Sequence, residues 1–390
     1  MTPSDGILER AFLDDASIAA GWTRAGALAE RGAAIEAAHP DSGSALVAMV
    51  AALGDGGLLR LLAAERDGGA FAEIGWRAVC LARERLAYTS PLLELAFTMQ
   101  GLGSMAIALG GSDEQRRTWL PDVIAGRAVA AFALTEPEAG SDLGELALEA
   151  RLEGDHYVLS GHKTFITNAP VATLFTVFAV TAPPGHPRRV TAFIVPRDTD
   201  GLRTLPQRVL GDHPIGEVVF DAVRVPVAQR IGGEGDGMRL ALGTLHRFRP
   251  TVGAAALGFG QRALDEAVHH VRGRRQFGAP LADLQAVRLA LADCACDLEG
   301  ARLLVYRAAA RADAGAGRHA EAHAGSMAKL VATEAAFRVI DRAVQLHGGR
   351  GVLADSVVGR LYQEVRALRI YEGASDIQRV LIARGLLEPR

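Results

Sequence analysis

The residue best suited to proton transfer in this chain is a glutamate in an apolar, glycine-bearing junction. It stands in Ile370-Tyr371-Glu372-Gly373-Ala374-Ser375-Asp376-Ile377-Gln378-Arg379. A carboxylate there is off the solvated face of a helix. Burial raises a carboxyl pKa toward neutrality, as a general base requires. Ser375 and Gln378 have capping-box spacing, so a helix is expected to start just behind the glutamate. Two more segments carry ligand chemistry. Ala133-Leu134-Thr135-Glu136-Pro137-Glu138-Ala139-Gly140-Ser141-Asp142 leaves a strand for a loop rich in hydroxyl and amide donors, suited to a polar heterocycle or an anion. Gly161-His162-Lys163-Thr164-Phe165-Ile166-Thr167-Asn168-Ala169 sets Phe165 and Thr167 on one face of a strand. An aromatic and a hydroxyl together suit a ring that is stacked and hydrogen-bonded at once. Taken singly, each segment is also compatible with ordinary turns and caps.

Other constellations read as structural. The loop Gly232-Gly233-Glu234-Gly235-Asp236-Gly237 lacks the strand-to-helix GxGxxG spacing and is a connector. His319 and His323 are one helical turn apart, but Glu321 is one place late for a zinc motif, so no metal is expected. Cys294 and Cys296 lie about 200° apart on a helix. Three cysteines give no disulfide framework, which fits a cytoplasmic setting.

These segments need elements to position them. A chain of 390 residues has length for two or three domains and a buried core. Its 42 basic and 45 acidic residues, net charge −3, leave no basic excess for nucleic acid. Met1–Arg10 is polar without an apolar run, and no stretch reaches the ~18 uninterrupted apolar residues of a spanning helix, so neither leader nor membrane is expected. Residues 1–128 read as helical, with a capping box at Ser112 and Gln115 starting a helix that runs toward Gly126. Residues 129–232 read as an antiparallel, barrel-like β-domain, with strands at 156–160, 173–181, 190–195 and 217–225. Residues 233–390 return to helical period. Leu284, Val287, Leu291, Cys294, Leu298, Ala301, Val305 and Ala308 make one stripe, and Leu330, Thr333, Phe337, Ile340 and Val344 a second, as in a helical bundle. All-α, all-β, all-α order disfavours a Rossmann fold.

Together the segments resemble the acyl-CoA dehydrogenase family of flavoproteins. The resemblance is carried by Thr135-Glu136-Pro137 with Ala139-Gly140-Ser141-Asp142, then Lys163-Thr164-Phe165-Ile166-Thr167-Asn168, then Phe220-Asp221-Ala222-Val223-Arg224-Val225-Pro226. It continues through Arg274-Arg275-Gln276-Phe277-Gly278, Ala343-Val344-Gln345-Leu346-His347-Gly348-Gly349-Arg350-Gly351 and Tyr371-Glu372-Gly373. It covers the chain from about residue 75 and is weak over the first 70. It implies an α+β multidomain fold: an N-terminal helical domain, a central antiparallel β-domain and a C-terminal four-helix bundle, assembled as a homotetramer or dimer. It implies FAD, with Phe132, Leu134, Thr135, Gly140, Ser141, Phe165 and Thr167 toward the flavin half and its phosphates. Arg274, Gln276, Phe277, Gln285, Gln345, Gly348 and Gly349 would serve the adenosine half of a neighbouring subunit's cofactor, with Ala374 and Asp376 also cofactor contacts. Ser141, His246, Phe248, Arg249, Tyr371 and Gly373 would contact the substrate, an acyl-CoA or acyl-carrier-protein thioester. An electron-transfer flavoprotein would take the electrons.

The implied reaction is α,β-dehydrogenation, with Glu372 removing the α-proton while the β-hydrogen leaves as hydride to flavin N5. Some members carry the base near Phe248 instead. Phenylalanine cannot take a proton, which leaves Glu372 as the candidate and sets a bulky ring near the acyl pocket, pointing to a short or unusual acyl group. Three departures mark a divergent member: Phe165 where tryptophan is frequent, Ala374 for a common threonine, and Gln363-Glu364 for Arg-Asp. The competing readings are an oxygen-reactive oxidase or monooxygenase of the same fold, and a flavin-free scaffold.

Overall fold

The computed structural model describes residues 16–387; the polar start Met1–Arg10 lies outside them. Helices α1 (Ala16–Ala38), α2 (Ser42–Asp55), α3 (Trp76–Thr89), α4 (Pro91–Gly110) and α5 (Asp113–Ile124) come first. Eight strands follow: β1 (Ala130–Ala133), β2 (Glu149–Glu153), β3 (His156–Thr167), β4 (Leu174–Val180), β5 (Val190–Pro196), β6 (Leu202–Gln207), β7 (Ile215–Pro226) and β8 (Arg230–Ile231). The C-terminal part holds α6 (Gly237–Gly273), the hairpin β9 (Arg275–Gln276) and β10 (Ala279–Pro280), then α7 (Gln285–Asp313), α8 (Arg318–His347), α9 (Val357–Leu368) and α10 (Ser375–Leu387). The helix–sheet–helix order is the expected one. By its contacts the chain forms two compact units. A helical unit joins the N-terminal stretch up to Glu30, Gly75–Glu94 and the chain from His246 onward; a sheet-bearing unit holds Arg31–Ile74 and Leu95–Leu245.

In the sheet-bearing unit the strands run β6-β7-β3-β2-β4-β5-β8, with β1 on β4. Most neighbours are antiparallel. β1 pairs β4 in parallel, however, and β2 meets β4 through one parallel pair, Glu149 with Val180, a departure from the all-antiparallel expectation. Alternating residues of β3, β4, β5 and β7 bury Tyr157, Phe175, Phe193 and Phe220 in one core. The Ser112 hydroxyl accepts from the Gln115 N–H at 3.1 Å and the Gln115 side chain returns to the Ser112 N–H at 3.0 Å, so the predicted capping box starts α5. Ser112→Ala is expected to lower stability by about 1 kcal/mol in chemical denaturation. Helix α4 is long and apolar enough to cross a membrane, which the sequence reading overlooked. Yet 89% of its apolar window is buried within the protein, as in a core helix.

In the helical unit α8 packs on α7, α9 and α10. The first stripe is buried at Val287, Cys294, Leu298, Ala301, Val305 and Ala308. The second is corrected. Leu330, Phe337 and Val344 are only half-buried, while Ala328, Ala332, Ala335, Ala336, Val339 and Ala343 are the closed face of α8, with Thr333 and Ile340. Small residues win because the helices approach closely. A Cβ on Gly260 of α6 would stand 3.4 Å from the Ala336 Cα of α8.

Candidate active site

The junction between α9 and α10 holds Glu372 at φ 53°, in the left-handed region that non-glycine residues rarely adopt, followed by Gly373 at φ 92°. Side chains from three helices hold this strained turn. Lys329 Nζ of α8 donates to the Gly373 carbonyl at 2.9 Å. Gln378 Nε2 of α10 donates to the Gly373 carbonyl at 2.8 Å and to the Glu372 carbonyl at 3.4 Å. Arg249 Nε of α6 reaches the Glu372 carbonyl at 3.4 Å. A Cβ on Gly373 would lie 2.4 Å from Gln378 Nε2, so glycine is needed there for space as well as for conformation. The expected capping box at Ser375 does not form. The Ser375 hydroxyl goes to Glu334 at 2.6 Å, and Gln378 is spent on the 372 and 373 carbonyls.

The Glu372 carboxylate is uncommitted. Its Oε2 is closed to solvent and has no hydrogen-bond partner among the described residues. Burial pushes its pKa up, against the pull of Arg83, Lys329 and Arg249, with Glu94 adding to the rise. Lys329 is pulled down to about 8 by burial, with Glu372 opposing the fall. Tyr371 precedes the glutamate, and burial raises its phenol. Phe248 is fully enclosed and meets Trp76 edge-on with centroids 5.5 Å apart, so its ring serves as core packing beside Arg249. His246 is half-buried one turn earlier on α6.

The sheet-bearing unit presents the second set. The Thr135 carbonyl accepts from the Thr164 N–H at 2.9 Å, which ties the loop after β1 to β3. Beneath this tie, Lys163 Nζ donates to the Leu134 carbonyl at 2.9 Å and to Glu136 Oε1 at 2.7 Å. Glu136 also accepts from the N–H groups of Ala147 and Leu148, at 2.6 and 3.0 Å. β3 carries a bulge between Lys163 and Ile166, where Phe165 stands at φ 54°, its N–H held by Gln207 at 3.1 Å. The simple alternation is therefore broken, but the Phe165 ring is turned out, 60% exposed, and Thr167 is half-exposed near it in sequence. Phe132 and Leu134 are buried, with Phe132 against Phe178 at 4.9 Å; Gly140 and Ser141 are exposed.

The remaining sequence-predicted positions face outward. In the β9–β10 hairpin, Phe277 is 90% exposed at φ 53°, and Arg274 and Gln276 are exposed beside it. Gln285, Gln345, Gly348 and Gly349 are exposed as well, and a Cβ on either of these glycines would meet nothing within 4 Å. Asp376 is exposed and pairs with Arg379 at 2.8 Å; Ala374 is half-buried. No group of three or more His, Cys, Asp or Glu side chains among the described residues could hold a metal ion.

Family models match in the order this architecture demands. The acyl-CoA dehydrogenase N-terminal domain matches residues 24–127, the middle domain 131–223 and the C-terminal domain 235–387. The chain belongs to the acyl-CoA dehydrogenase family. It is 38% identical over 365 residues, 93% of both chains, to "Probable acyl-CoA dehydrogenase fadE25" of Mycobacterium leprae. Butyryl-CoA dehydrogenase from Megasphaera elsdenii superposes with a TM-score of 0.89 at 30% identity, covering 96% of this chain and 99% of that one. The FAD complex of PigA superposes with a TM-score of 0.85 at 28% identity, covering 95% and 96%. An acyl-CoA dehydrogenase is an oxidoreductase acting on CH–CH donors, and its cofactor is FAD.

The residues present fit that cofactor. Phe165 is an exposed ring on strained backbone two residues before Thr167, and such strain persists where a site requires it. Phe277 shows the same left-handed backbone and an open aromatic face. Sequence reading missed four residues around Glu372: Lys329 and Gln378, which hold the 372–373 carbonyls, and Arg83 and Glu94, whose charges act on its carboxylate. A signal was available for Arg83 and Lys329. Val79, Cys80, Leu86 and Ala87 flank Arg83 at helical spacing, and Ala328 and Ala332 flank Lys329, so each charge occupies a buried register.

Proposed function

We propose that the protein dehydrogenates an acyl thioester across its α,β carbon pair, taking acyl-CoA to trans-2-enoyl-CoA with FAD as oxidant. The observation that carries this reading is the Glu372 carboxylate, its Oε2 uncommitted and closed to solvent, on left-handed backbone. A thioester α-proton is removable by a carboxylate once charge on the carbonyl oxygen is stabilised, and the Glu372 N–H is the donor proposed for that oxygen. Glu372 takes the α-proton onto its side chain. FAD, when bound, supplies the acceptor for the hydride that leaves the β-carbon. Lys329, Arg249 and Gln378 keep the 372–373 carbonyls fixed, so the carboxylate is held in one position. Thr135, Ser141, Phe165 and Thr167 are proposed to orient the flavin, with Arg274, Gln276, Phe277, Gln285, Gln345 and Gly349 serving a second copy's cofactor in a homotetramer or dimer. The reading includes an electron-transfer flavoprotein as acceptor and a cytoplasmic setting.

The test is anaerobic titration of the purified flavoprotein with a panel of acyl-CoA thioesters. Flavin bleaching followed by slow reoxidation in air supports the dehydrogenase; rapid peroxide formation would turn the reading to an oxidase. Phe165→Ala is expected to weaken FAD binding by roughly tenfold at most, the worth of one aromatic contact, measured by flavin fluorescence on dilution.

A further inference from the structure

Two enclosed charges stand beside Glu372 that the proposed reaction leaves unused. Arg83 of α3 is 1% exposed and Glu94, in the first turn of α4, is 2% exposed. Arg83 Nε meets Glu94 Oε2 at 2.8 Å, and Arg83 Nη1 donates to Thr251 Oγ1 of α6 at 2.7 Å. The Thr251 hydroxyl donates in turn to the Phe248 carbonyl at 2.8 Å, one residue before Arg249, which holds the Glu372 carbonyl. The pair is therefore linked to the catalytic turn through a single stretch of α6.

We infer that Arg83 and Glu94 form a charge-balanced positioning pair that sets the pH at which Glu372 becomes a working base. The inference rests on Glu372 being that base. Stability alone gives no reason for such a pair, since apolar side chains of similar volume commonly do as well. Its electrostatic logic is direct. Three cations act on the Glu372 carboxylate: Arg83 from α3, Arg249 from α6 and Lys329 from α8. Arg83 acts most strongly and cannot discharge. Burial is the largest influence and lifts the carboxylate against these cations. Glu94 is the anion that opposes them. Tyr371 stays neutral, while Glu334, Arg369 and Glu364 are felt at Lys329 and Tyr371.

The two halves of the pair should then move the acid limb of kcat/KM against pH in opposite directions. In Glu94→Gln, Arg83 keeps its charge, Glu372 loses a repelling anion, and the limb moves down. In Arg83→Met the strongest cation acting on Glu372 is gone, so the limb moves up. Arg83→Lys restores the charge and returns the limb toward the parent. A purely structural pair would lower thermal stability in all three variants without opposite shifts. Shifts in one direction, or a stationary limb in flavin-loaded Glu94→Gln, overturn the inference. If Arg83→Met does not fold, Glu94→Gln and Arg83→Lys decide it. Glu372→Gln separates the two levels: turnover surviving in that variant removes the base itself, whereas an inactive variant with an unmoved Glu94→Gln limb removes only the pair's role.

Discussion

Glu372→Gln is expected to abolish turnover, with a loss of about 10²–10⁴ or more, while flavin binding and fold are kept. The amide preserves shape but cannot take a proton. Two neighbours are not placed to substitute: Phe248 is an enclosed hydrocarbon ring, and the Lys329 amine is engaged with the Gly373 carbonyl. The same variant carries a second signature, in stability. Burial raises the Glu372 pKa above its unfolded value of 4.5, so the native state holds that proton more tightly than the unfolded chain does. Ionising the group thus costs native stability as pH rises above the ordinary carboxylate range, and the cost is complete above the raised value. Glutamine removes the titration. Thermal unfolding of variant and parent should nearly coincide at acid pH, with the variant pulling ahead as pH rises. Equal melting differences at all pH values would mean that the carboxylate is solvated. The activity loss is read from steady-state assay, and anaerobic spectra show whether FAD remains.

How much of this was legible beforehand follows the range of the interactions. The α5 capping box was readable because both partners lie within four residues. The same pattern at Ser375 misled, because Gln378 found backbone carbonyls in a strained turn that no local rule announces. The sequence places Phe165 and Thr167 on one face of β3, but the bulge between Lys163 and Ile166 breaks that alternation, and the Phe165 N–H is held there by Gln207, 42 residues further along the chain. The α8 stripe was misplaced because hydrophobic size, rather than smallness, was taken as the mark of burial. The parallel β1–β4 pairing is set by long-range packing and leaves no local trace. Glu372, the proposed base, was visible as a candidate from its apolar setting. Its supporting charges come from α3, α4, α6 and α8, and only the fold gathers them.

Glu136→Ala tests a different joint, the one that shapes the loop around Thr135. Glu136 is 6% exposed, and it joins the fully enclosed Lys163 ammonium to two backbone N–H groups. Removing the carboxylate leaves a buried cation without its counter-ion and two N–H donors without acceptors, and breaking a buried pair on one side costs about 3–5 kcal/mol. Chemical denaturation of the sheet-bearing unit should register that loss. Glu136→Gln keeps one of the two acceptor oxygens and should recover part of it. The pH dependence identifies the cause. Burial pulls Lys163 from 10.5 to about 8, with Glu136 opposing the fall. The native state therefore sheds this proton earlier than the unfolded chain, so the burial cost is present below about 8 and is relieved between about 8 and 10.5. Without the Glu136 charge Lys163 falls further, and relief should begin at lower pH. A Glu136→Gln curve that tracks the parent across this range would show that the carboxylate serves only as an acceptor for the loop's N–H groups. An earlier rise would show that its charge keeps Lys163 protonated beneath the Leu134 carbonyl, where its bond to that carbonyl holds the start of the Thr135 loop.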